Sequence, residues 1–355
     1  MKIGYVAWVP ASGETGVLKK ILFQMRAWRD MGHDVSLFVL GQAKEPWQGA
    51  TDVPIRLHPT GGTLSWFVQA ERLVTDVLRW DPDIVYHRFN VHFPALDRLL
   101  AVRPTVIELN TLDVDEYRRK MSKLRFAYHL LTRGRILRGA RGIVAVTHEI
   151  AASVERFGRP MLVLGNGVDF RTIQPVPATT ATKPRLLFIA TRLDEPWHGY
   201  DKLMRLAAAF PEWQLDVIGA GPSPDTPTNV AMHGFLRQTE YQSILASADV
   251  GIGPLALHRK HMDEACPLKT REYLAAGLAV IAAHRDPDFV GSVPFLLELP
   301  NHQHNIENSL PALRAFVQQW HHRRVDRSLV EHLDTRSKEK ARLDFFAGFA
   351  RTHPR

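Results

Sequence analysis

The stretch Glu264-Ala-Cys-Pro-Leu-Lys-Thr-Arg-Glu272-Tyr-Leu-Ala-Ala-Gly277 decides how this chain reads. Two carboxylates, Glu264 and Glu272, flank Pro267. Proline suits the first turn of a helix, where its missing N–H would find no partner anyway. Leu268 to Ala276 are helix-compatible, and Gly277 is a natural C-terminal stop. Glu264 then lies in the loop feeding the helix, and Glu272 in the second turn. The amides of Leu268 and Lys269 point out of the helix start, a place that attracts phosphate. Acceptors on either side of an anion site suit a nucleotide-sugar, with hydroxyls at both ends and a diphosphate between them.

Paired glutamates on a helix are more often solvated surface residues, so the flanks carry the argument. Asp249-Val-Gly-Ile-Gly-Pro254 reads as a buried strand running into a loop, and Leu278-Ala-Val-Ile-Ala-Ala283 as the next buried strand. The glutamates therefore belong to a strand–loop–helix–strand unit, near the carboxyl end of a strand. That is where open α/β sheets bind ligands.

The same alternation extends along the chain. Short apolar runs at Lys2–Trp8, Asp34–Leu40, Asp83–Tyr86, Thr105–Leu109, Gly142–Val146 and Met161–Leu164 predict strands. Helical patterns occupy Val17–Met31, Leu64–Trp80 and Pro94–Val102. A second series follows at Arg185–Ala190, Gln214–Ile218, Asp249–Ile252 and Leu278–Ala282, and Glu339 to Phe349 forms a final amphipathic helix. Alternating strand and helix implies a mainly parallel, doubly wound α/β sheet in each half. Pro175-Val-Pro-Ala-Thr-Thr-Ala-Thr-Lys-Pro184 is the natural linker. The domains are thus 1–174, a linker at 175–184, 185–335, and a helix at 336–355. Gly219-Ala-Gly221-Pro-Ser-Pro lacks a third glycine, so it is a poor dinucleotide fingerprint and reads as a tight turn after a strand.

A chain of 355 residues with 45% hydrophobic and 23% charged residues fits a two-domain globular protein. No apolar run is long enough to span a bilayer, and no signal-peptide layout follows Met1. The single cysteine, Cys266, excludes an internal disulfide and fits a cytoplasmic setting. It is expected to pack beside the helix start without chemistry. The net charge of +8 leaves nucleic acid, anionic membrane and phosphorylated substrates open as partners. That charge is concentrated: Arg118, Arg119, Lys120, Lys123, Arg125, Arg133, Arg135, Arg138 and Arg141 occur with no acidic residue among them. Met121, Leu124, Tyr128 and Leu131 recur there at helical spacing. This basic amphipathic stretch suits an anionic membrane surface. It lacks interleaved stacking aromatics, so nucleic acid is not expected as a partner.

Further residues support an anion site. Ser12-Gly13-Glu-Thr-Gly16 joins the first strand to the first helix, and its small residues let backbone amides approach a ligand. Arg192 follows the strand at Leu186–Ala190 and can brace a diphosphate bidentately. Lys269 adds a cation at the helix start. Asp113-Val-Asp115 has the form of a metal–diphosphate motif in a loop before the basic stretch. The histidines, His302/His304 and His321/His322 among them, pair with no cysteine or carboxylate at a ligand spacing. Neither a metal nor another cofactor is expected.

Taken together these residues resemble a family 4-type retaining glycosyltransferase of the GT-B fold, in which two Rossmann-like domains face a central cleft. The resemblance runs over nearly the whole chain. It rests on Gly16-Val-Leu-Lys-Lys, Gly32-His-Asp-Val, Tyr86-His-Arg88, Glu108-Leu-Asn110, Gly165-Asn-Gly-Val-Asp169, Arg192 with Trp197-His-Gly199, and Glu264 through Asp288-Phe289. It implies an acceptor-side first domain, a donor-side second domain, and a last helix returning to the first. Glu272 would hold the nucleotide ribose and Glu264 the transferred sugar. Arg192, Lys269, His198 and the Leu268 amide would hold the diphosphate, with Gly16 and Gly219 close to the donor. His198 stands where lysine is common, and it can still donate to phosphate. Asn110 stands where many relatives have histidine; it can position a hydroxyl but cannot act as a base. The expected partners are a nucleotide-sugar donor, a glycan or lipid-linked acceptor and an anionic membrane. Two other activities fit the same residues, a nucleotide-sugar epimerase and a non-catalytic nucleotide-sugar-binding partner.

Overall fold

The computed structural model describes residues 1–9, 16–45, 47, 50, 52–190, 195–219, 221 and 226–351. They divide into two compact units, one of residues 1–165 with 335–355 and one of residues 166–334.

The first unit is built on seven parallel strands: β1 (Lys2–Val9), β2 (Asp34–Gly41), β3 (Ile55–Pro59), β4 (Ile84–Arg88), β5 (Thr105–Leu109), β6 (Gly142–Ala145) and β7 (Met161–Val163). Their order is β3-β2-β1-β4-β5-β6-β7. β5 and β6 are buried at every position, which is why they appear in sequence as unbroken apolar runs. The helices are α1 (Gly16–Asp30), α2 (Thr63–Trp80), α3 (Pro94–Val102), α4 (Asp113–Lys120), α5 (Lys123–Gly139) and α6 (His148–Ala152).

The second unit has six parallel strands: β8 (Arg185–Ile189), β9 (Gln214–Ile218), β10 (Val230–Met232), β11 (Val250–Ile252), β12 (Ala279–Ala282) and β13 (Leu296–Glu298), in the order β10-β9-β8-β11-β12-β13. Its helices are α7 (Tyr200–Ala209), α8 (Gln242–Ser247), α9 (Leu268–Ala276) and α10 (Leu310–Trp320). The last helix, α11 (Thr335–Ala347), belongs to the first unit. Leu343 and Phe346 enter that unit's core beside Trp28 and Tyr86. The Trp28 indole N–H donates to Glu339 at 2.7 Å, and Arg342 binds both Glu339 and the Tyr86 hydroxyl.

Two boundaries differ from the sequence reading. Residues 166–174 go with the second unit, because the Val168 amide bonds the Leu333 carbonyl and Val168 and Ile173 enter its core. The 175–184 segment does not hang free between domains. The Val176 amide bonds the Ala276 carbonyl, and Arg324 donates to the carbonyls of Val176 and Pro177. Asp249 accepts the Thr179 hydroxyl at 2.5 Å. Backbone polar groups need partners once covered, and here the second unit supplies them. The chain passes between units at 165–166 and again at 334–335. Among the described residues no helix is long and apolar enough to cross a membrane.

Candidate functional site

In the second unit the predicted strand–loop–helix–strand is in place. α9 spans Leu268–Ala276; Pro267 occupies its N-cap instead of the first turn, and Gly277 closes it with φ 93°. The Thr270 and Arg271 amides turn back to the Pro267 carbonyl. The Leu268 and Lys269 amides make no hydrogen bond among the described residues, so the helix start keeps two open donors.

Side chains on successive positions of α9 leave in different directions and each is anchored. Glu272 is 7% exposed and accepts the Tyr241 hydroxyl at 2.8 Å. Burial first, then the Glu272 charge, pushes the Tyr241 phenol far up, so it stays a donor. Arg271 is fully buried, with its guanidinium on Asp286 and Asp288 and its Nε on the Asn166 carbonyl at 2.9 Å. The Tyr273 hydroxyl accepts the Ile189 amide at the end of β8, and its ring fills the space over Gly251, where a Cβ would lie 2.2 Å away.

Lys269 sits half-buried with its ammonium 4.0 Å from the centre of the Phe188 ring and 3.4 Å from Nδ1 of His198. Burial pushes its pKa down to about 7. His198 is buried in a short turn, Pro196–His198, with its ring against Trp197 and Phe188. Thus Lys269 and His198 do come together at the helix start. Glu264 lies in the entry loop, largely buried, 3.9 Å from Arg285, and its backbone pairs with that residue. Gly219 follows β9 with φ 121°, and a Cβ there would fall 1.7 Å from the Ala190 carbonyl; that close approach accounts for the glycine. Arg192 lies outside the described residues. Cys266 is buried and its Sγ accepts the Asn166 amide, while burial raises its thiol pKa.

In the first unit Asn110 directly follows β5. Its Oδ1 accepts from Lys20 at 2.6 Å, and its buried Nδ2 has no partner among the described residues. Lys20 also stands 2.9 Å from Glu108, a fully buried carboxylate that further accepts from the Tyr5 hydroxyl at 2.9 Å and Arg88 at 3.1 Å. Burial alone would raise the Glu108 pKa, but Lys20, Arg88 and Arg342 outweigh it and hold it well below the usual range. Burial draws the Lys20 pKa down, against the pull of Glu108. Sequence reasoning assigned Lys20 no role, and took Glu108 and Arg88 only as parts of a pattern. Gly16 opens α1, with residues 10–15 outside the description.

The basic stretch forms two helices. The Asp113–Asp115 motif is no loop: it lies in the first turn of α4, where Asp113 is buried against Arg133, at two contacts of 2.7 Å, and His129 at 2.6 Å. It braces α5. His129, Arg133, Ile136 and Leu137 face inward on α5, whereas Leu124 is 87% and Leu131 82% exposed. Arg118, Arg119, Lys120, Lys123 and Arg125 are exposed around them. The apolar stripe seen in sequence therefore points outward.

His321 and His322 do meet a carboxylate. With Asp249 they form a group whose ligand atoms lie within 4.8 Å of one another, and no other such group exists among the described residues. The 70-odd residues between them hide it in sequence. In this state the imidazoles engage the carbonyls of Ala181 and Thr179, so the trio clamps the 175–184 segment.

Residues 21–172 match the model of Glycosyltransferase Family 4. The phosphatidyl-myo-inositol mannosyltransferase of Propionibacterium freudenreichii subsp. shermanii is 25% identical over 370 residues, covering 95% of this chain and 88% of that protein. Sucrose-phosphate synthase of Thermosynechococcus elongatus superposes with a TM-score of 0.70 at 14% identity, over 98% of both chains. Anabaena HepE, solved with UDP and glucose, gives 0.64 at 15% identity, over 98% of this chain and 99% of that one. Two parallel α/β units of this kind have the architecture of the GT-B fold. The match to the family 4 model over residues 21–172 and the likeness to the mannosyltransferase support a glycosyltransferase activity.

The Lys20–Glu108 pair gives a measurable pH signature. Glu108's depressed pKa means its stabilisation is present above the unfolded value of about 4.3 and is lost as pH falls through the folded value. Lys20→Met should cost about 3 kcal/mol near neutral pH. Urea unfolding should show the gap to wild type narrowing below about pH 4. A gap that stays constant well below that pH would remove Glu108 from the account.

Proposed function

We propose that the protein is a retaining, metal-independent glycosyltransferase that moves a sugar from a nucleoside-diphosphate donor to a glycan or lipid-linked acceptor, working on the inner face of a membrane. One observation carries the donor half: α9 offers open amides and Lys269 at its start, with a buried, anchored glutamate one turn further on. HepE's complex with UDP and glucose supports a donor of this chemistry. The mannosyltransferase relative, named for phosphatidyl-myo-inositol, supports a lipid-linked acceptor.

In this reading Glu272 accepts from the ribose hydroxyls and Glu264 from the transferred sugar. The Leu268 and Lys269 amides, the Lys269 ammonium, His198 and Arg192 take the diphosphate. The acceptor oxygen bonds to the anomeric carbon on the face the diphosphate leaves. Its proton passes to a leaving phosphate oxygen as the old C–O bond breaks. The protein supplies position and positive charge, not a nucleophile. Asn110, on the acceptor-side unit, offers its unpartnered Nδ2 to a hydroxyl.

Thermal-shift measurements against UDP, GDP, ADP, dTDP and CMP test the donor site, since a ligand that binds only the folded state raises the melting temperature. One nucleoside diphosphate should stabilise the protein with or without EDTA, and Glu272→Ala should abolish that shift. Without donor, Lys269 is half-charged near pH 7. A bound diphosphate favours its charged form, so binding takes up a proton and weakens as pH rises above about 7. That dependence should vanish in Lys269→Met. Absence of any nucleotide shift sinks the donor assignment, and NMR of the product's anomeric configuration tests retention.

The outward row of Leu124, Tyr128 and Leu131, set among cations, supports docking on anionic lipid. Wild-type protein should sediment with phosphatidylglycerol vesicles and release as salt rises, but not with phosphatidylcholine alone. A Leu124→Glu, Leu131→Glu double variant should bind about tenfold less. Unchanged sedimentation would detach α5 from the membrane role.

A further inference from the structure

At the amino end of β11 the second unit holds a carboxylate that no full cation offsets. Asp249 is 0% exposed, and among the described residues its one ion-pair partner is His321, whose Nε2 stands 3.9 Å from Oδ2. Arg324 is near enough to feel that charge, but it spends its guanidinium on backbone carbonyls instead. Three neutral donors take up most of the carboxylate. The Thr179 hydroxyl at 2.5 Å and the His322 amide at 3.1 Å reach Oδ1, and the Arg185 amide at 3.0 Å reaches Oδ2. An ionised carboxylate has about four acceptor positions, so one remains. Buried charges are paired or coordinate metal ions. With a histidine as its only partner, Asp249 is short of positive charge.

The two histidines reach it in an uncommon way. They directly follow α10. On extended chain, neighbouring side chains would point to opposite faces. His322 instead takes a left-handed backbone, φ 62°, and the two rings stack with centres 3.6 Å apart and planes 27° from parallel. Few residues other than glycine adopt such a backbone. One nitrogen of each ring and an Asp249 oxygen lie within 4.8 Å of one another. Ligand atoms around a tetrahedral zinc stand about 3.3 Å apart, so shifts of about an ångström close the set. Asp249 is buried, His321 partly covered and His322 exposed, which gives an ion a way in from solvent.

We propose that Asp249, His321 and His322 bind a divalent transition-metal ion of the zinc type as a structural tie of the second unit. Imidazole nitrogens favour such ions, whereas magnesium and calcium take oxygen ligands. Each ring must offer a lone pair, so the ion displaces the contacts that the rings make with the Ala181 and Thr179 carbonyls. In their place it supplies the missing positive charge and joins the start of β11 to the end of α10. Solvent takes the fourth position on the exposed side of His322. Asp249 precedes β11, whereas the loop to α9 leaves from the strand's other end. The ion therefore takes no part in donor binding or transfer, and the site stands whether or not the transferase reading does.

Calorimetric and thermal-shift titrations of the untagged full chain, stripped with EDTA and dialysed, test the site with no substrate present. Zinc chloride should fill one tight site per chain and raise the melting temperature, and magnesium chloride should do neither. His321→Gln and His322→Gln should each weaken zinc at least about tenfold, since losing even an outer partner of a metal ligand costs that much. Asp249→Asn should do the same; should that variant not fold, the exposed His322→Gln still decides. Urea midpoints of the metal-free variants verify the fold. A His302→Gln, His304→Gln double variant should bind zinc as the wild type does. Zinc binding weaker than about 1 mM overturns the proposal. So does binding that persists unchanged in a His321→Gln, His322→Gln double variant, or that is lost with His302 and His304 instead.

Discussion

A carboxylate with no exposed surface lies at the centre of the first unit, and the elements around it are arranged to neutralise it. Glu108 on β5 draws a phenol from β1, an ammonium from α1 and a guanidinium from β4. Left without them, a buried charge costs several kcal/mol. None of these elements can therefore shift alone. Lys20 spends its remaining hydrogen-bonding capacity on Asn110, so a side chain at the site takes its orientation from the charge balance of the core.

The second unit uses the same device on α9. Arg271 is buried between two aspartates of the loop after β12 and a carbonyl of residue 166. Successive helix positions point about 100° apart, so Arg271, Glu272 and Tyr273 reach three separate regions. Each contact removes a way for the helix to rotate or slide. Glu272 and the amides at the helix start are thereby held in place before any ligand arrives, which is the condition for stabilising charge without reorganisation.

How much of this was legible depended on burial. The central strands are covered on both faces, so β5 and β9 were recovered at their full bounds from apolar runs. The strands sequence reasoning passed over, β3, β10 and β13, are all sheet edges and only partly buried, and their composition does not set them apart. α9 was legible because Pro267 and Gly277 punctuate it. The partners that anchor it were not: Tyr241 and Asp286 become neighbours only through the fold. The same holds for Asp249 with His321 and His322. The outward stripe on α5 illustrates a different limit, since periodicity shows that a face exists but not which way it points. Only the inward ion pair of Asp113 with Arg133 settles that.

The C-terminal helix has a consequence for how the chain is made. Residues 166–334 form one continuous segment inserted within the first unit. During synthesis the second unit can therefore complete its core while the first still lacks Leu343 and Phe346. Until those residues leave the ribosome, Trp28 and Tyr86 wait without their cover, and Glu339 and Arg342 are not yet there to satisfy the indole and the phenol. Domains usually mature from the N-terminus forward. Here the unit that starts first is the one that finishes last, and its unfinished surface is the interval in which a chaperone would find most to hold.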